Sequence, residues 1–175
     1  MTRVMPDLVD LLIEDDRWNA LPIAELASAG VTAAFEVLSL PKEGFELTLL
    51  ACSDHRIALL NEEFRGKGKP TNVLSWPSEE RGAERAGDMP DLPAPGGLDD
   101  PEGLGDIAIA WETVEREAAE GDIAIADHVT HLIVHATLHL LGFDHEDDDD
   151  AELMEGLEVK ALARLGLPDP YEKAV

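Results

Sequence analysis

The stretch His128-Val129-Thr130-His131-Leu132-Ile133-Val134-His135-Ala136-Thr137-Leu138-His139-Leu140-Leu141-Gly142-Phe143-Asp144-His145 carries five of the six histidines of the chain. At about 100° per residue, His128, His131, His135 and His139 fall within about 80° of one helix face. Leu132, Ile133, Val134, Leu138, Leu140 and Leu141 make that helix apolar nearly all round, which places it in the interior. Imidazoles lined up on a buried helix are costly without partners, and one metal ion partners several of them at once.

The spacing narrows this further. His135 and His139 stand one turn apart, able to share a tetrahedral ion. Gly142 is expected to end the helix, because glycine takes positive φ cheaply. The turn Gly142-Phe143-Asp144 then returns His145 toward the same ion as a third ligand. Three neutral nitrogens and an open fourth position match a catalytic zinc, one per chain, whose water ionises near neutral pH. Nickel and copper accept the same donors, so zinc is a preference among three metals. His128 and His131 read more simply as hydrogen-bonded core residues, or as side chains that support the ligands or touch substrate. A zinc peptidase of the H-E-x-x-H type needs a glutamate directly after the first ligand as its base. Ala136 stands there, so a peptidase of that type is disfavoured. Asp144, Glu146 and the metal's own water are left as candidates for base or orienting group. The run Glu146 to Asp150 also suits the start of a helix, where the dipole favours negative charge.

Outward from this stretch, a first strand is expected over Val9 to Glu14 and a helix from Pro22 to Leu38, with Ala24, Leu26, Ala27, Ala33, Ala34 and Val37 on a buried stripe. Phe45 to Cys52 alternates as a strand. Ser53 or Asp54 is an N-cap for a helix through Phe64. Thr71 to Trp76 is a third strand stopped by Pro77, and Gly105 to Trp111 a fourth, followed by a helix from Glu112 to Ala119. Two more helices are expected over Ile125 to Leu141 and Asp150 to Leu165, the latter stopped by Gly166 and Pro168. Strands early and helices late predict an α+β fold with a small mixed sheet packed with helices. Ser78 to Leu104 is rich in Pro, Gly and acidic residues with few apolar side chains, the composition of a flexible insertion in a single domain spanning residues 1–175.

The whole chain sets bounds on partners. It has 175 residues, 45% of them apolar, enough for one domain with a real core. No apolar run approaches the roughly 18–20 residues that cross a bilayer, so no membrane partner is expected. Met1 to Asp7 lacks the pattern of a secretory signal, and the lone Cys52 asks for no oxidising compartment, so a cytoplasmic protein is expected. A formal charge of −25 argues against non-specific nucleic-acid binding, and no DNA is expected. Any affinity for RNA has to come from a local basic patch, a metal or a partner protein. Arg65, Lys67 and Lys69, with Gly66 and Gly68 between them, form the tight positive cluster of the sequence. Arginine grips a phosphate through two parallel hydrogen bonds, and glycines let backbone N–H groups approach it; a solvated turn explains the same residues equally well.

The quoted histidine stretch resembles the signature of the YbeY family, bacterial metal-dependent endoribonucleases that act in ribosomal RNA maturation. Leu60-Asn61 through Arg65, Lys69-Pro70-Thr71 and Val73-Leu74-Ser75-Trp76-Pro77 match its central block. Gly105-Asp106-Ile107 matches the strand that follows, and Met154, Glu158, Gly166 and Pro170-Tyr171 its closing helix and tail. The resemblance implies a zincin-like fold with a metal-bearing buried helix near the C-terminus, and one zinc on His135, His139 and His145. It implies a functional Arg65. From the residues themselves, Lys67 and Lys69 are expected to help hold the RNA backbone, and His131 and Asp144 to stand around the ligands. The implied activity is single-strand-specific cleavage of ribosomal RNA in ribosome maturation and quality control, at the 3′ end of the small-subunit RNA. Small-subunit proteins or a ribosome-associated GTPase are the implied partners. Two positions depart from the family: Ala136 stands where glycine is usual, and Asn72 where aspartate is usual. The first suits a helix. The second removes a negative charge near the expected site, with consequences for base catalysis or a second metal.

Two other readings of the same residues remain: a zinc hydrolase acting on a peptide or small amide, and a non-enzymatic ribosome assembly factor. In the latter, zinc serves structure and acidic faces dock on basic ribosomal proteins.

Overall fold

Alternation along Phe45–Cys52 buries Phe45, Leu47, Leu49 and Ala51 on one face, and this strand, β2, is the centre around which the computed structural model is arranged. The structure describes residues 8–171; the expectation about a secretory signal concerns residues 1–7, which lie outside the described residues. The elements in order are β1 (Val9–Ile13), α1 (Ile23–Val37), β2 (Phe45–Cys52), α2 (Asp54–Arg65), β3 (Val73–Pro77), β4 (Glu102–Ala110), α3 (Trp111–Glu120), α4 (Ile125–Leu140) and α5 (Asp148–Arg164). The sheet order is β1-β2-β4-β3, with β1, β2 and β4 parallel and β3 antiparallel to β4. This is the α+β arrangement of a small mixed sheet with helices, and the histidine helix lies near the C-terminal end of the chain.

The main core lies between the sheet and helices α1, α4 and α5. Phe35 meets Phe45 edge to face at 5.4 Å, and Val31, Ile107, Ile109, Ile133, Leu138 and Leu140 are almost fully buried among them. Helix α2 covers the opposite face over a smaller cluster of Cys52, Ile57, Leu74, Ala108 and Ala110. Ser53 caps α2 by accepting from the Arg56 amide at 3.2 Å, and Asp147 caps α5 from the Asp149 amide at 2.9 Å.

Several boundaries depart from expectation for local reasons. Asn72 lies outside β3 because its own side-chain oxygen accepts the Val73 amide at 2.7 Å, a local turn that competes with strand pairing. Pro77 belongs to β3, opposite Gly105, which an edge strand tolerates because the missing donor faces away from β4. Strand β4 begins at Glu102, so the segment assigned by composition to a loop gives up its last three residues, and Leu104 is fully buried. Trp111 opens α3 where a strand end was expected. The 3-10 turn Asp16–Ala20 was not anticipated. It seats Trp18 in the core, where the indole donates to the Cys52 carbonyl at 2.8 Å and meets Trp111 edge to face.

Candidate metal centre and cleft

Helix α4 buries Val129, Ile133, Val134 and Leu138 in the core, so its histidines face the one side left open. That side is a wall of a cleft of about 990 Å³, bounded by the start of β3, the segment after Pro77, α5 and the turn beyond α4. Gly142 makes that turn possible. Its φ is +105°, and a Cβ there would stand 2.6 Å from the Arg81 carbonyl oxygen. The turn brings His145 back so that one ring nitrogen each of His135, His139 and His145 lies within 4.8 Å of the others.

The partners of these rings decide which nitrogens carry protons. His139 Nδ1 lies 3.0 Å from the Phe143 carbonyl, which only accepts, so Nδ1 holds the proton and Nε2 presents a lone pair. His135 Nδ1 donates to Glu158, a carboxylate with no solvent exposure on α5, so His135 Nε2 also presents a lone pair. These two Nε2 atoms are 3.1 Å apart. Two lone pairs at that distance repel unless a cation lies between them. Tetrahedral zinc with bonds of about 2.0–2.1 Å separates its nitrogens by roughly 3.3 Å, so the set fits such an ion.

Electrostatics favour the same state. Burial, reinforced by the neighbouring His135 and His145, pushes the His139 imidazole down to about 4, which keeps it neutral and free to coordinate. Burial acts to raise the Glu158 carboxyl, but the hydrogen bond and charge of His135, the Tyr171 hydroxyl and the nearby His131 together outweigh it and hold the carboxyl below the usual range. Tyr171 donates its hydroxyl to the second Glu158 oxygen, and burial followed by that carboxylate raises the phenol pKa. Burial lowers His131, whose Nε2 lies 3.5 Å from the Tyr171 hydroxyl and 3.9 Å from Glu158. A ligand histidine oriented by a buried carboxylate is a common support for metal sites.

Of the other residues singled out in the sequence, Arg65 lines the cleft and donates to the Ser75 carbonyl at 3.2 Å. Lys67 and Lys69 are exposed on the loop after α2 and do not line the cleft. Asp144 is exposed, and its carboxylate accepts the His145 amide at 2.7 Å, fixing the turn. Ala136 is fully buried on α4. His128 pairs with Glu117 at 2.9 Å. Sequence reasoning matched Glu158 and Tyr171 to a pattern but assigned neither a task. A glutamate on the buried face of α5, between Leu157 and Ala161, was the signal.

The segment after Pro77 is tied to this site. Arg81 is buried and donates to the Leu140 carbonyl at the end of α4 at 3.0 Å and to Ser78 Oγ at 3.0 Å. The Gly87 amide donates to Asp150 at the start of α5 at 2.7 Å.

A model of the family described as Endoribonuclease YbeY matches residues 13–166 of the chain. Proteins named Endoribonuclease YbeY from Cereibacter sphaeroides and Dinoroseobacter shibae are 55% and 56% identical to it. The alignments cover 95% and 94% of this chain and 100% and 90% of those relatives. The solution structure of TM1509 from Thermotoga maritima matches with a TM-score of 0.53 over 94% of this chain and 99% of that one. At 18% identity this is a likeness of fold.

Proposed function

Because the chain belongs to the Endoribonuclease YbeY family, we propose that it is a zinc-dependent, single-strand-specific endoribonuclease of ribosomal RNA processing, acting at the 3′ end of the small-subunit RNA. The observation that carries the metal-dependent reading is the pair of Nε2 lone pairs of His135 and His139 turned toward one another, with His145 beside them. These three residues would hold the ion, and with a fourth position open it would supply Lewis acidity toward a phosphodiester oxygen.

The chain's own groups supply the rest. Glu158 holds the proton on His135 Nδ1, and the Phe143 carbonyl holds it on His139 Nδ1, so both rings keep the tautomer that coordinates. The Arg65 guanidinium, steadied by the Ser75 carbonyl, offers positive charge to a phosphate entering the cleft, where charge developing during cleavage needs it. Lys67 and Lys69 would engage RNA outside the cleft, along the strand's approach. Work on the small ribosomal subunit in the cytoplasm, with its proteins or a ribosome-associated GTPase, accords with the weak general affinity for RNA expected of so acidic a chain.

The test is elemental analysis of the purified protein and of His139→Ala, with cleavage of single-stranded RNA assayed on the same samples. About one zinc per chain, lost together with cleavage in the variant, is the expected result. Zinc bound without any RNA cleavage would favour an assembly factor with a structural metal, and no metal uptake would remove the reading. A 2′,3′-cyclic phosphate as the primary product would identify the RNA hydroxyl as nucleophile in place of water.

A further inference from the structure

The same cleft holds a second convergence of polar side chains, contributed by three separate elements. Asn72 precedes β3, Glu117 lies on α3, and His128 lies in the first turn of α4; all three line the cleft. Glu117 Oε1 accepts from Asn72 Nδ2 at 3.0 Å and faces His128 Nε2 at 2.9 Å. Two donors on one carboxylate oxygen use both of its lone-pair directions and fix the plane of the group. Among the described residues, Glu117 Oε2 takes no hydrogen bond, and the side chain is 35% exposed. The result is an oriented acceptor with one oxygen free, facing the cleft.

His128 precedes His135 by seven residues, roughly 10 Å along the helix at 1.5 Å per residue. A carboxylate at that distance repels phosphates and binds hydrogen-bond donors. In a single-stranded RNA the exposed base donors include the exocyclic amines of cytosine, adenine and guanine; uracil has no such amine, and its ring N3–H lies between two carbonyl oxygens that a carboxylate repels. We propose that Glu117, held by Asn72 and His128, forms a nucleobase subsite that accepts a hydrogen bond from the exocyclic amine of a base one or two nucleotides from the scissile phosphate. The proposal rests on reading the three-histidine group as the reaction centre. Asn72 is a positioning residue: its amide can donate to Glu117, whereas a carboxylate at that position would compete with Glu117 for protons.

The experiment uses zinc-loaded wild type, Glu117→Gln and Asn72→Ala on single-stranded oligouridylates carrying one cytosine at successive positions. The wild type is expected to cleave the oligonucleotide with cytosine at one position roughly tenfold faster in kcat/KM than all-uracil RNA, the discrimination of about one charge-assisted hydrogen bond. Glu117→Gln should bring that ratio close to one, Asn72→Ala should lower it a few-fold, and zinc content should stay at the wild-type value in both. Glu117→Asp, which keeps the charge on a shorter stem, serves if the glutamine variant is poorly folded, and should retain part of the preference. A wild type with no preference, or the same preference in all proteins, overturns the subsite. So does a second metal lost in Glu117→Gln, which would make the cluster a cation site, or a loss caused equally by 2′-deoxy substitution, which would make Glu117 a ribose contact. If the wild type cleaves none of these RNAs, the reaction-centre reading fails, and the preference is then read from equilibrium binding of the same oligonucleotides.

Discussion

Nε2 of His135 lies 3.1 Å from Nε2 of His139, and the partners of both rings put the protons on the opposite nitrogens. The contact is therefore between two acceptors. Its geometry is held from behind by the Glu158 carboxylate and the Phe143 carbonyl, and the predictions for the site follow from that support.

Glu158→Gln keeps the shape of the buried side chain but removes its charge. Zinc affinity should fall about tenfold, and Glu158→Leu, which leaves His135 Nδ1 without an acceptor, should lose about a hundredfold. Chelator competition measures both; affinities equal to wild type would mean that Glu158 does not orient the ring.

Arg65→Ala should reduce kcat/KM for RNA by about a hundredfold or more while zinc content stays constant, because in the proposed reading the guanidinium meets substrate charge, and its hydrogen bond goes to the Ser75 carbonyl and not to the histidines. Arg65→Lys should recover only part, lacking the planar fork. A parallel loss of zinc would instead place Arg65 in the folding of the site.

Arg81→Met removes the donors to the Leu140 carbonyl and to Ser78 Oγ, leaving the acceptor on buried Leu140 without its Arg81 partner. Denaturant unfolding should show a loss of about 1–3 kcal/mol. An unchanged midpoint would mean that the segment after Pro77 is not anchored there.

Two glycines should respond in opposite directions. Gly142→Ala forces a side chain into a positive-φ position and against the Arg81 backbone, with a cost of about 2 kcal/mol or more. Gly156, inside α5 with open space at its Cβ position, should gain about 0.5–1 kcal/mol as alanine. Thermal unfolding of the pair tests both signs.

Burial pushes the Cys52 thiol up to about 12 from an ordinary value of 9.0. Between those values the unfolded chain has released this proton and the folded chain has kept it. The resulting stability is fully present below about pH 9 and is lost as pH rises toward 12. Unfolding midpoints from pH 8 to 11 should therefore fall more steeply for wild type than for Cys52→Ala; identical slopes would contradict the buried thiol.

The parts of the fold that the sequence made legible are those with local causes. Helix α4 announces itself through apolar spacing and Gly142, β2 through alternation, and α2 through Ser53 at its start. Glu158 escaped because the residue it serves is 23 positions away on another helix, and no spacing rule links the two. Leu104 was hidden by the composition of its neighbours, although pairing with β2 decides where β4 begins. Lys67 and Lys69 belonged with Arg65 to one basic cluster in sequence. Gly66, the left-handed cap of α2, turns the chain there, and Arg65 lines the cleft while the lysines do not.

His145 differs from its two partners in where it stands: it is exposed on the turn, while they sit partly buried on a helix packed into the core. The site can thus open by displacement of one residue without unfolding α4. Loading and release of a zinc held by these residues would then be local events, with the two helix histidines as a waiting half-site and His145 as its latch. The rate of zinc release to a chelator should accordingly be insensitive to urea below the unfolding transition, and Asp144→Ala, which frees the His145 amide, should accelerate it.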